Sequence, residues 1–170
     1  MQRIRYWIKR RILLGWLKRI CKKKNYALVL HRSLTEYRDG DDDGRDFEIR
    51  TENTVFSVKI IPVRSRISVF RLSHNGTYSI GEGTYLPQAY YFNHREIAYR
   101  PKIFRKLPRA EVPVPESGGK QVRHVFLVHP TCYEYECVSP GGRRIASPGD
   151  TFLGWELWCG RDFRKMLKKL

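Results

Sequence analysis

The first 24 residues carry ten Lys/Arg and no acid, interleaved with Ile4, Trp7, Ile8, Ile12, Leu13, Leu14, Trp16, Leu17 and Ile20. A segment this apolar needs a surface to pack on, and one with so many like charges needs a polyanion to compensate it. The pattern predicts a helix over 3–24 that ends at Asn25, a residue that tolerates the left-handed conformation of a helix C-cap. Its apolar positions do not form one stripe, because the row 4, 8, 12, 16, 20 and the row 7, 14, 17, 21 fall on different sides of the wheel. The expectation is a helix packed partly on the rest of the chain and partly presenting charge. The cations it presents are Arg3, Arg5, Lys9, Arg10, Arg11, Lys18, Arg19, Lys22, Lys23 and Lys24.

Net charge is +16, and most of it lies in that arm, since residues 25–170 carry 23 cations against 17 acids. Aromatic content of 13% and hydrophobic content of 41% argue for a folded chain. The organisation expected is a basic arm over 1–24 and one domain over 25–170. The apolar run Ile12–Leu17 stops at Lys18, too short for a secretory signal or a membrane span. Cys21, Cys132, Cys137 and Cys159 are then most simply reduced thiols, and the location expected is cytoplasmic or peripheral to a membrane.

Strands are predicted at Tyr26–His31, Phe47–Thr51, Val55–Ile61, Ile67–Ser73, Val122–His129, Thr131–Val138 and Thr151–Cys159, from their Val, Ile and aromatic content. Tyr78–Tyr91 is read as a continuation of the sheet. Asn75-Gly76 favours a hairpin, and Pro140-Gly141-Gly142 a turn. Eight of the 17 acids fall in Glu36–Glu52, read as a solvated loop leading into structure. Asn93–Tyr99 is read as a short helix, and 101–121, with Pro101, Pro108, Pro113 and Pro115, as an extended connector. The closing segment places Phe163, Met166, Leu167 and Leu170 on one helical stripe, with Asp162 at its start and Lys168 and Lys169 at its end. The fold class predicted is α+β: a mostly antiparallel sheet of about six to eight strands, with the basic N-terminal helix and a short amphipathic C-terminal helix packed near one another.

Asp46 and Glu48 begin one predicted strand, and Lys59 lies on the next across a hairpin near Glu52–Thr54. Metal-dependent phosphodiester hydrolysis needs acids to hold a divalent ion beside the phosphate and a Lys to orient water or stabilise charge. Preceded by a helix and a short strand, residues 1–75 resemble the core of the restriction-endonuclease-like superfamily, whose motif is Asp, a hairpin, then Glu/Asp-x-Lys. The resemblance implies catalytic roles for Asp46, Glu48 and Lys59 and Mg²⁺ as the only cofactor. The chain departs from the motif at Ser57, which stands where the second acid belongs; Glu48 substitutes only if the strands bring it near. The plainer alternative is that Asp46 is a turn residue and Lys59 an exposed strand residue.

Other clusters have simpler explanations. Asp39–Gly44 opens like a calcium loop, but its twelfth position falls on Arg50, so a flexible Asp/Gly run is the better account. His124, His129, Cys132 and Cys137 lack zinc spacing, the two histidines having opposite strand parity, and read as surface imidazoles and buried thiols. Glu134 and Glu136 share one strand face, as alternation with Tyr133 and Tyr135 would give, with the acids on the wet face. The segments Arg64-Ser65-Arg66, Arg100–Arg109 and Arg143-Arg144 mix cations with Tyr90, Tyr91, Tyr99 and Phe104, a composition suited to phosphates and stacked bases. Arg64 and Arg66 join the arm as candidate nucleic-acid contacts. The function expected is a small basic nucleic-acid-binding protein, with a degenerate nuclease-like domain as scaffold. The alternatives are a peripheral membrane or partner-docking protein, whose Trp-containing arm meets an anionic surface, and a Mg²⁺-dependent nuclease. No small-molecule cofactor is expected.

Overall fold

Helix α1 (Gln2–Lys24) stops where expected: Asn25 has φ 57°, the left-handed conformation that ends a helix. The computed structural model describes residues 2–31, 45–62, 68–74, 77–85, 97–106, 118–129 and 134–170. From Leu13 onward the helix does have one buried stripe. Leu13, Leu17, Ile20 and Cys21 lie against a sheet, while Ile8 and Ile12 are exposed. Neither row listed in the sequence docks as a whole: the row 4, 8, 12, 16, 20 is exposed at Ile8 and Ile12 and buried at Ile20, and the docked stripe takes Leu17 and Cys21 from the other.

The chain then enters β1 (Ala27–Leu30), β2 (Phe47–Arg50) and β3 (Thr54–Pro62), an antiparallel meander. It leaves to form β4 (Ser68–Ser73), β5 (Thr77–Tyr85) and β6 (Ile97–Lys106) in a second sheet. It returns as β7 (Gln121–His129), which pairs with β3 in parallel. A second excursion builds β8 (Glu134–Ser139), parallel to β4, and β9 (Gly142–Ala146). The hairpin β10 (Thr151–Phe152) and β11 (Trp155–Cys159) then closes the first sheet, with β11 parallel to β7, and α2 (Gly160–Lys169) follows directly.

The α+β class holds, and the sheet arrangement differs from the expected one. Among the described residues there are two sheets, ordered β1-β2-β3-β7-β11-β10 and β6-β5-β4-β8-β9, and both are mixed. Each parallel ladder arises because the chain visits the other sheet before coming back. β7 is central and covered on both faces; it is apolar without a break over Val125–Val128, and Val125–His129 are all buried.

Alternate positions of the first sheet feed two cores. Phe47, Ile49, Phe56, Val58, Ile60, Val125 and Leu127 face the helices and meet Leu13, Leu17, Phe163 and Leu167. Ile61, Phe126, Val128, Trp155, Leu157 and Cys159 face the second sheet and meet Leu72, Cys137 and Ala146. The two helices thus form one layer, near one another as expected.

Several boundaries are corrected. The segment read as a helix at 93–99 belongs from Ile97 to β6, and so does the start of the predicted connector, Pro101–Lys106. Pro101 is tolerated because β6 is an edge strand and the ladder shifts register between Ile80 and Gly81, whose partners are Ile103 and Pro101. Thr151–Cys159 is two strands, turning at Leu153 (φ 50°) and Gly154 (φ 78°). Asp46 and Glu48, at the end of the acidic stretch, are buried instead of solvated. Residues 36–44, 86–91, 93–96, 107–117 and 131–133, with the Asn75-Gly76 pair, lie outside the described residues.

Ser147-Pro148-Gly149-Asp150 forms a type II turn before β10. Pro148 takes the second position, Gly149 has φ 96°, and Asp150 N donates to Ser147 O at 3.0 Å. A Cβ at 149 would meet Trp158 Cζ2 at 3.2 Å and Cη2 at 3.3 Å. Gly149→Ala is expected to cost about 1–2 kcal/mol through the left-handed backbone alone. A thermal melt of the variant checks it, and an unchanged midpoint would count against the strain.

Candidate functional site

Two places in the fold concentrate polar chemistry: the row where β2, β3 and β7 cross, and the outer surface of the helix layer.

In the first, the register sets Glu48 beside Ser57 and Ser57 beside His124, so the three share one face across three strands. Glu48 is fully buried and its carboxylate is shared by two guanidiniums and an imidazole. Oε1 faces His31 Nε2 at 3.0 Å and also accepts from Arg45 Nη1, while Arg50 donates Nε to Oε2 at 3.0 Å. Burial alone would raise the Glu48 carboxyl, but the hydrogen bonds from Arg50, His31 and Arg45 outweigh it and hold the group below its usual range. His124 lies 5.5 Å from the Trp155 ring, and burial, reinforced by the charge of Arg45, pushes it below its ordinary value. Ser57 Oγ, between the two, is buried and has no hydrogen-bond partner among the described residues.

Asp46 is used differently. Its amide donates to Val58 O at 2.9 Å although Val58 already pairs with Phe47, so the ladder is irregular there. Its Oδ2 accepts from Ile60 N at 2.6 Å, supplying the acceptor that the amide would otherwise take from the β2 backbone. Lys59, half-buried, lies on the neighbouring strand one step past that irregularity. The three residues singled out in the sequence are therefore neighbours. Of the two acids, Glu48 is engaged by protein cations and Asp46 by a backbone amide.

The helix layer has the opposite character. Arg11, Lys18, Arg19, Lys22 and Lys23 of α1 are exposed, as are Arg161, Arg164, Lys165, Lys168 and Lys169 of α2. The single acid in either helix is Asp162. Its Oδ2 accepts the Cys159 thiol at 3.0 Å, and its Oδ1 lies 3.4 Å from Lys165 Nζ and 3.9 Å from Arg161 Nε. Those contacts, the thiol hydrogen bond first, hold Asp162 below the usual carboxylate range. Lys18, Arg19, Lys22 and Lys23 make no ion pair with any described residue.

Arg3, Arg5, Lys9 and Arg10 lie on the N-terminal half of α1, and Lys24, at its end, is half-buried. Arg64, Arg66, Tyr90 and Tyr91 lie outside the described residues; Tyr99 and Phe104 are on β6. Arg143 and Arg144 are engaged, Arg143 with Glu136 at 3.1 Å and Arg144 with Asp150 at 3.1 Å. Glu136 is buried and also accepts from Arg71, so the expected wet face is instead an ion-pair site on the second sheet. His129 is buried and His124 half-buried, not surface imidazoles. The calcium-like loop at 39–44 and Cys132 lie outside the described residues.

The five cations of α2 are what the sequence reading missed as a surface. Lys168 and Lys169 were assigned to the helix end alone. The available signal was that every α2 position after Gly160 and off the stripe of Phe163, Met166 and Leu167, apart from Asp162, is Arg or Lys. No protein-family model, curated protein or solved structure matches the chain.

Proposed function

We propose that this protein binds nucleic acid through the outer surface of its helix layer, with the sheet as scaffold. The observation that carries the reading is the one-sided layer: ten exposed cations on two helices that pack on the same sheet face, with a single acid among them. Such a surface repels itself in isolation and gains by releasing counterions from phosphates. The earlier candidates Arg11, Lys18, Arg19, Lys22 and Lys23 are the centre of it, and α2 extends it. A cytoplasmic setting is part of the proposal and agrees with Cys21, Cys137 and Cys159 being free thiols.

The order helix, short strand, Asp46 at the entry to a second strand, hairpin and Lys-bearing strand supports a degenerate restriction-endonuclease-like scaffold. The donor set does not fit Mg²⁺. Two guanidiniums and an imidazole already surround Glu48, and a dication there would meet the positive charge of the guanidiniums. Among the described residues no group of three ligands is poised to hold a metal. We derive no cleavage step from Asp46, Glu48 and Lys59, and read the Glu48 centre as the structural replacement of an ion site.

A second reading, an anionic membrane surface or a docking partner, is favoured by Ile8 and Ile12, 45% and 61% exposed and one turn apart on α1. Among the described residues no helix is long and apolar enough to cross a membrane.

The test is duplex DNA binding across a salt series, comparing the chain with a variant carrying Lys18→Gln, Arg19→Gln, Lys22→Gln and Lys23→Gln. The log–log slope is expected to fall by about 0.9 for each phosphate contact removed. An unchanged slope would sink the interface. Binding to anionic vesicles but to no nucleic acid would favour the second reading.

A further inference from the structure

An open groove of about 530 Å³ runs along α2, with Pro148, Trp158, Met166 and Leu170 as its apolar lining and Lys165 and Lys169 at its rim. Its volume falls in the range of about 300–1,000 Å³ usual for ligand sites. We infer that this groove takes one unstacked base of a single-stranded nucleic acid against Trp158, with the flanking phosphates on Lys165 and Lys169. The inference rests on the nucleic-acid reading above and names the form of nucleic acid that the layer holds.

The ring is held in place from several sides. Trp158 Nε1 donates to Glu156 Oε2 at 2.9 Å, and Glu156 is itself clamped by Arg123, whose Nε and Nη2 donate to its two oxygens at 2.6 and 2.7 Å. The Phe163 ring lies 6.1 Å from it at a 59° tilt. The indole N–H is thereby spent inside the protein, leaving an apolar, polarisable surface for a π-face. Pro148, in the groove lining, belongs to the Ser147–Asp150 turn, fastened by Ser147 N donating to Asp150 Oδ2 at 3.0 Å and by Arg144. A Cβ at 149 would lie 3.2 and 3.3 Å from Trp158 Cζ2 and Cη2, so the Gly149 backbone packs on that part of the six-membered ring, and a base would meet the part of the indole that lines the groove.

Charge selects the occupant. Lys165 and Lys169 are four residues apart on α2, so they sit on one face, separated by about 6 Å of helix rise. Asp162, the acid at the groove, is engaged by Lys165 and the Cys159 thiol, which leaves the rim net positive. An apolar ligand alone would not call for two lysines, and a phosphate alone would not call for Trp158, Met166 and Leu170. A base with its own phosphates satisfies both, and stacking is sequence-tolerant because every base has a π-face.

The experiment measures binding of the full chain to a short oligo(dT) and to an abasic phosphodiester of equal length, in the wild type and in Trp158→Leu, Met166→Glu and Lys165→Gln/Lys169→Gln variants. The wild type is expected to prefer oligo(dT) about tenfold, the scale of one stacked base. Trp158→Leu and Met166→Glu should each abolish that preference, the second without touching the Glu156 network. Lys165→Gln/Lys169→Gln should weaken both ligands. Equal wild-type binding of the two ligands would overturn the groove while leaving the helix-layer interface standing. So would a preference that persists in a folded Trp158→Leu or Met166→Glu. Binding of neither ligand while duplex DNA still binds would likewise overturn the groove alone, and loss of duplex binding as well would overturn both proposals.

Discussion

Glu48→Ala is expected to lower the unfolding free energy by about 3 kcal/mol, the lower end of the range for removing one partner of a buried ion pair. The lower end applies because Arg45 and Arg50 retain 19% and 24% side-chain exposure and recover part of their hydration when the carboxylate goes. Glu48→Gln should cost nearly as much, since an amide keeps the shape but cannot neutralise three donors. The same centre sets an acid limb of stability. Burial raises the Glu48 carboxyl and its partners lower it by more, so the folded value lies below that of an ordinary glutamate. A group depressed on folding stabilises above its unfolded value and loses that contribution as pH falls through the folded one. Denaturant midpoints for wild type and Glu48→Gln, taken at neutral pH and on an acid series below 4.5, should converge as the acid is approached. Parallel curves would mean that Glu48 is not the titrating group.

How far the sequence carried depended on whether a feature was local. The C-terminal helix, the Asn25 cap and the strands 27–30, 47–50, 54–62 and 121–129 were legible because their signals lie within a few residues. Pairing partners were not. Nothing in Val55–Ile61 or Val122–His129 distinguishes a parallel neighbour from an antiparallel one, so the chain's movement between two sheets left no trace in the pattern. The site divided in the same way. The closeness of Asp46, Glu48 and Lys59 followed from one hairpin, whereas the groups that occupy Glu48 come from three places: Arg50 in β2, Arg45 ahead of β2 and His31 just after β1. A sequence motif names candidate ligands and leaves open whether the fold has already paired them. For α1, the apolar positions could be listed from the sequence, but the stripe that docks, Leu13, Leu17, Ile20 and Cys21, cuts across the two listed rows and was decided by the sheet it meets.

That docking makes removal of residues 1–24 the change with the largest expected effect: the remaining chain should fail to fold cooperatively. Leu13, Leu17 and Ile20 are 0%, 0% and 7% exposed. At about 1.5–3 kcal/mol per buried aliphatic side chain they contribute on the order of 5–9 kcal/mol together. A domain's entire stability is about 5–15 kcal/mol. The deletion also uncovers Phe47, Ile49 and Val58, which share the core with the α1 stripe. Loss of a cooperative denaturant transition, with dye binding to the exposed apolar face, is the expected outcome. A sharp transition in the 25–170 chain would mean that the helix is an appendage whose packing contributes little. The distinction governs how the nucleic-acid proposal has to be tested. If the arm is part of the core, deleting it removes binding by unfolding the scaffold and says nothing about phosphates. Neutralising Lys18, Arg19, Lys22 and Lys23 leaves the buried stripe intact and changes only the charge, so a fall in salt slope there can be assigned to the interface.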